Sequence, residues 1–310
     1  MDTTLGLALA TALINSMVTM AIPLLLPALG ELIAERAGVI NIGLEGMLLV
    51  GAFVALVGAY FSGSTALGIA AAVAAGAALG AGLAYFVVAR HANQVVAGTA
   101  LNLFAAGITG VAYRAVFGVT GAALTISGAP ALPVPLLRDL PLIGAPLFAQ
   151  TGLGYAAFLL VPAIAFGLGR TLPGLALRMV GENPYAAETQ GVAVGRVRTL
   201  ALIACGALAA AGGAYLAVSY ANTFVEGMSA GRGFIALAIV IVGRRRPLGI
   251  LFAALFFGFA TALQFHFQAL SLNIPFQFFL ILPYVLTLLV LAARFGRAEA
   301  PAALGQPYER

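Results

Sequence analysis

Two asparagines and two carboxylates recur at one spacing in a chain that is otherwise nearly free of charge. Asn41-Ile-Gly-Leu-Glu45-Gly46-Met47 returns as Asn222-Thr-Phe-Val-Glu226-Gly227-Met228. The same offset, without a gap, aligns Phe53 with Phe234, Ala55-Leu56 with Ala236-Leu237, and residues 67–69 with 248–250. Amide and carboxylate groups of this kind can hydrogen-bond a polar solute, take up a proton or cation, or cap helix ends. Residues four apart share one face of a helix, so each Asn/Glu pair is expected to point the same way. A carboxylate inside hydrocarbon is costly and faces a bundle interior or a wet cavity. The flanking Gly38, Gly43, Gly46, Gly227, Gly231 and Gly233 weaken a helix and permit broken backbone beside a cavity. Two readings stand. Asn41, Glu45, Asn222 and Glu226 line a translocation path, or they cap helix ends and hold two halves together. The asparagines suit the path better, and the glutamates suit the structural role.

Asn93, Gln94, Thr99 and Asn102 form a second polar stripe. Asn102 lies deepest, as a candidate donor to a polyhydroxylated solute or as a partner in an interhelical hydrogen bond. Gln264, His266, Gln268, Asn273 and Gln277 read as a wet loop or rim, because a lone histidine is a poor metal ligand set. There is no G-x-x-x-x-G-K-[ST], so the chain has no Walker loop for ATP phosphates. H-E-x-x-H and any paired Cys/His constellation are likewise missing. No nucleophile–base set points to an enzyme.

The elements that must position these residues are membrane helices. Of 310 residues, 62% are hydrophobic and 8% charged, with a mean hydropathy of +1.07. So few charges cannot clothe a soluble core. Apolar blocks fall at about 5–29, 38–61, 65–89, 95–118, 151–169, 199–218, 231–243, 248–267 and 276–293, most near the length that crosses about 30 Å of hydrocarbon. The expected fold is therefore an all-α polytopic bundle of about nine spans, with eight or ten as alternatives. The seventh block is too short to cross alone, so irregular chain before it is expected to share the membrane depth. The N-terminus lacks the positive region of a cleaved signal and is expected to form the first span. Cys205 is the single cysteine, so no internal disulfide is possible.

All fifteen Lys/Arg residues are arginine. Arg90; Arg170, Arg178, Arg196 and Arg198; Arg244, Arg245 and Arg246; and Arg294 with Arg297 fall at alternate ends of spans. Placing them in the cytoplasm puts the N-terminus outside and the C-terminus inside a plasma membrane. That placement reads as an orientation signal within lipid, and nucleic acid is not expected as a partner. The repeat offset then spans five crossings, so the two copies are expected to be inverted, a common transporter plan. The resulting layout is one transmembrane domain. It has half one (1–118), an external loop (119–150), a linking span (151–169), a cytoplasmic loop (170–198), half two (199–294) and a tail (295–310). In span three, Gly76-x-x-x-Gly80 reads as close helix packing.

The loop 170–198 carries its own signal. Asn183 is a good N-cap, Pro184 suits a first helical position and Gly191 suits the stop. The two-turn helix between them is marginal alone. Its small face, with Ala186 and Ala187, suits a groove on a partner.

The stretches ERAGVINIGLEGM (35–47), VGENPYAAETQG (180–191) and FVEGMSAGRGFIALA (224–238) resemble the permease family of bacterial ABC importers for branched-chain amino acids, ribose and nucleosides. The likeness is closest to the simple-sugar and nucleoside branch and extends over nearly the whole chain. It implies a dimer of identical or homologous permeases, a cytoplasmic ABC ATPase that binds ATP and Mg, and an external substrate-binding protein. It implies no cofactor in this chain. By the same likeness, Gly181, Glu182, Asn183, Pro184, Ala186, Ala187 and Gly191 belong to the element that docks on the ATPase, in a loop looser than the E-A-A-x-x-x-G signature of many importers. A secondary transporter, with Glu45 or Glu226 binding coupling ions, is the competing expectation.

Overall fold

The computed structural model describes residues 2–118, 125–269 and 300–308, together with positions 281, 285 and 292. Among these residues the regular structure is helical, apart from an isolated bridge between Ala131 and Thr151. Helix α1 (Asp2–Arg36) is the longest, and from Val18 onward it is enclosed by neighbours on nearly all sides. Then follow α2 (Leu44–Ser62), α3 (Thr65–Ala84, continued by a π-helical turn Tyr85–Ala89) and α4 (Gln94–Phe117). A short helix α5 (Gly144–Phe148) precedes α6 (Gly152–Arg170), α7 (Leu172–Glu182) and α8 (Pro184–Thr189). Helix α9 (Val194–Ala214) also runs on into a π-helical stretch, Tyr215–Ala221. The short α10 (Arg232–Val242) and α11 (Pro247–Ala269) complete the described bundle.

Among the described residues, seven helices are long and apolar enough to cross a membrane: α1, α2, α3, α4, α6, α9 and α11, with the π-helical stretches counted in. The chain is a multi-pass membrane protein whose described residues form a helical bundle. Eight of the nine blocks expected from sequence contain a helix; the ninth, 276–293, lies largely outside the described residues. The 170–198 segment is more ordered than the sequence suggested. Thr171 caps an eleven-residue helix there, accepting from Gly174 N–H at 3.2 Å.

Between helices in lipid the hydrophobic drive is absent, so association depends on close packing of small residues. The crossing of α3 over α9 shows this. A methyl group on Gly76 would stand 2.3 Å from the Gly206 carbonyl oxygen, and one on Gly80 would stand 2.3 Å from that of Leu202. The G-x-x-x-G stripe is thus a backbone-to-backbone contact. Similarly, α9 lies against α2 where Gly213 leaves no room beside the Leu48 carbonyl. Together α1, α2, α3 and α9 make a tight inner group. Helix α4 stays largely exposed, touching mainly α2.

Candidate functional site

The chain between α1 and α2 is not helical at Asn41, so the expected shared face of Asn41 and Glu45 does not form. Asn41 is fully buried and acts as a bracket. Its backbone N–H donates to Glu31 Oε1 at 2.9 Å, its Oδ1 accepts from Gly43 N–H at 2.9 Å, and its Nδ2 donates to the Met47 and Cys205 sulfurs at 3.2 and 3.3 Å. A fully paired amide of this kind holds the bend before α2.

Two other side chains fix the start of α2. Gln94 Oε1 accepts from Ile40 N–H at 2.8 Å. Asn102 accepts from Gly46 N–H at 2.8 Å and donates to Ile42 O at 2.9 Å. Asn102 stands nine residues into α4, about 14 Å along its axis from Asn93. Gly43, Gly46 and Gly98 are required by this approach; a methyl on Gly46 would meet the Ala105 side chain at 2.8 Å.

Glu45 opens α2 and reaches across to α10. Its Oε1 accepts from Gly231 N–H and its Oε2 from Gly233 N–H, both at 2.7 Å. The first turn of a helix presents unpaired N–H groups and a positive dipole end, so a carboxylate there is a strong cap. Gly233 lies so close that a methyl would stand 2.4 Å from the Glu45 backbone nitrogen. Two helix N-termini therefore meet here, joined by one carboxylate. With eleven residues, α10 is about 16 Å long, roughly half a bilayer. Irregular chain from Asn222 to Gly231 precedes it.

Glu226 sits in that irregular stretch and not on a helix with Asn222. Its carboxylate takes two hydrogen bonds from Arg114, Nε to Oε1 at 2.8 Å and Nη2 to Oε2 at 2.7 Å. Both side chains are exposed. Arg114 lies near the far end of α4 from Asn93, about 32 Å along the helix. Asn222 adopts a left-handed backbone, φ 55°, where the π-helical end of α9 stops. Its carbonyl accepts from Ile126 N–H at 3.0 Å, and its Oδ1 packs against Gly128 without a hydrogen-bond partner. The four repeated residues thus fall into two separate places. Asn41 and Glu45 stand with Asn102 where α2 begins, whereas Glu226 pairs with Arg114 and Asn222 lies against Ile126 and Gly128.

At the arginine-rich end, Glu35 and Arg245 form a buried pair at 2.5 Å, and Arg36 Nη2 holds the Arg245 carbonyl at 2.7 Å. Glu31 and Glu35 are not among the residues that the sequence singled out. The signal available was their four-residue spacing, which puts both on one face of α1.

The 180–191 segment is capped as expected: Asn183 Oδ1 accepts from Ala186 N–H at 3.0 Å and Gly191 has φ +81°. Its faces divide sharply. Gly181, Pro184 and Ala187 are buried, with Ala187 against Val180 and Val194, while Glu182, Asn183, Tyr185 and Ala186 are exposed. A methyl on Gly181 would meet the Arg36 carbonyl at 2.3 Å.

The tail straps this segment down. Ala303 N–H donates to Gly181 O at 2.9 Å, Gly305 N–H to Gly38 O at 3.1 Å, and Arg198 Nη1 to Gln306 O at 3.0 Å. Tyr308 donates to Glu188 at 2.5 Å and stacks near Tyr185, ring centroids 5.1 Å apart. Residues 300–308 therefore join the 181–188 segment to the loop leading into α2. Nothing in the sequence of the tail marked it for this. Of the polar rim, Gln264 is buried, and Asn273 and Gln277 lie outside the described residues.

A family model described as branched-chain amino acid transport system/permease component matches residues 13–297. The chain is 37% identical to a guanosine ABC transporter permease protein of Bacillus subtilis, over 93% of each chain. It is 35% identical to a nucleoside ABC transporter permease protein of Lactococcus lactis, over 96% of each. A glucose ABC transporter permease protein of Haloferax volcanii is 30% identical over 76% of this chain and 65% of its own length. No solved structure matches.

Proposed function

The chain belongs to the family of branched-chain amino acid transport system permease components, and from that membership we propose that it is the membrane-spanning permease of an ATP-binding-cassette importer for a nucleoside or a simple sugar. The observation that carries this reading is near-full-length similarity to permeases named for guanosine and for nucleosides. Nucleoside is the preferred solute class. The partners are a cytoplasmic ATPase, which binds ATP and Mg, a second permease subunit and an external binding protein.

In this reading the arginine-rich end faces the cytoplasm, the N-terminus lies outside and nine spans cross the plasma membrane as two inverted halves. The exposed face of α8 (Tyr185, Ala186) with Glu182 and Asn183 docks on the ATPase. Motion there passes through the strap of residues 301–308 to Gly38 and the bend at Asn41, and so to the α2–α10 junction. That junction, held by Glu45 and Asn102, is the inner gate of the path, and the Arg114–Glu226 pair with Asn222 is the outer one. Alternating access requires only that ATP binds one of the two states better. Both carboxylates are already committed, Glu45 to two amides and Glu226 to a guanidinium. This favours an ATP-driven device over one in which either binds a coupling ion.

The test is uptake of labelled guanosine, adenosine, ribose and glucose into cells carrying the chain with its ATPase. Uptake of a nucleoside that stops on ATP depletion is the expected result. Uptake that persists without ATP and collapses with the proton gradient would reject the proposal.

A further inference from the structure

The turn between α10 and α11 sorts three consecutive guanidiniums by direction. Arg244 and Arg245 both have left-handed backbones, φ 57° and 52°, a region that residues with a Cβ rarely adopt. Strain of this sort persists where surrounding structure fixes it and often marks a working site. Arg245 turns inward to Glu35 and is buried. Arg244 and Arg246 are left exposed at the mouth of a cleft of about 540 Å³. Neither has an ion-pair partner among the described residues.

The cleft has two chemical halves. Its mouth is basic: Arg178, Arg245 and Arg246 all act on Arg36, so positive charge around that residue outweighs Glu35 and Glu182. Its wall is apolar, made by Ala165 of α6 and by Val242, Leu248 and Phe252 where α10 passes into α11. Leu248 and Phe252 are 59% and 68% exposed. Both α6 and α11 are membrane-length helices, so this wall continues into the hydrocarbon-facing surface. A free anion would satisfy only the mouth. A zwitterionic lipid would satisfy the wall but bring a cation to a site with surplus guanidinium.

We propose that this cleft binds an anionic phospholipid, its phosphate held by Arg244 and Arg246 and one acyl chain lying along Phe252, Leu248 and Ala165. Basic pockets between transmembrane helices at one bilayer face are suited to such headgroups.

The experiment titrates the full-length chain in neutral detergent with phosphatidylglycerol or phosphatidylcholine and counts bound lipid by native mass spectrometry. The expected preference for phosphatidylglycerol is roughly thirty-fold, the value for two surface arginines facing an anionic lipid. The Arg244→Gln/Arg246→Gln variant loses it, while Arg90→Gln, at the same end but away from the cleft, keeps it. Both arginines are exposed, so folding is not at stake; an unchanged melting midpoint confirms that. An undiminished preference in the double variant, an equal loss in Arg90→Gln, or displacement of bound lipid by millimolar inorganic phosphate would each overturn the proposal.

Discussion

Replacing Glu45 by glutamine tests the junction on which the gate reading depends. The carboxylate holds the Gly231 and Gly233 amides at 2.7 Å each, at the start of α10. Glutamine keeps one acceptor oxygen but turns an NH2 group toward the other amide, leaving that donor unpaired. Loss of one charge-assisted bond and of the charge at the helix dipole amounts to about 2–4 kcal/mol. Gly233→Ala attacks the same contact from the other side. Its methyl would stand 2.4 Å from Glu45 N and 2.5 Å from its Cα, so α10 must move off α2. Overpacking of this kind costs about 1–3 kcal/mol. Thermal unfolding of the full chain in detergent measures both. Because the two changes break a single contact, the double variant should lose clearly less than the sum of the single losses. Strict additivity, or a glutamine variant that melts like the parent, would refute the assignment of Glu45 as the cap that joins α2 to α10.

Three further outcomes follow from the geometry. Glu226→Gln removes an exposed ion pair and should leave the melting midpoint unchanged, as surface pairs contribute little, while uptake falls; unaltered uptake removes the outer gate. Ala187→Glu places a charge among Val180 and Val194 and should impair folding, whereas Ala186→Glu, on the exposed face, should leave the fold intact and release the ATPase in a co-purification assay. A chain ended at residue 300 should still insert and melt as a bundle but uncouple uptake from ATP hydrolysis, since the strap to Gly38 and Gly181 is gone. Retained coupling in that truncation, measured as solute moved per ATP, would show that the strap transmits nothing.

The sequence by itself determined that this chain is a bundle of membrane helices, because hydrophobic block length depends on bilayer thickness alone. It also determined where α8 starts and stops, because capping is local: Asn183, Pro184 and Gly191 need only their neighbours. The shortness of the seventh apolar block likewise announced α10. The tertiary structure alone decided what the repeated residues do. Asn41 and Glu45 look like one helical face at four-residue spacing, yet a bend at 37–43 separates them, and their partners lie up to 188 positions away. Which amide a carboxylate meets across helices is set by interhelical packing, and spacing along one chain carries no information about it. The strap of residues 301–308 was invisible for the same reason. Its bonds to Gly38 and Gly181 run through backbone groups, which every sequence possesses and only a fold can aim.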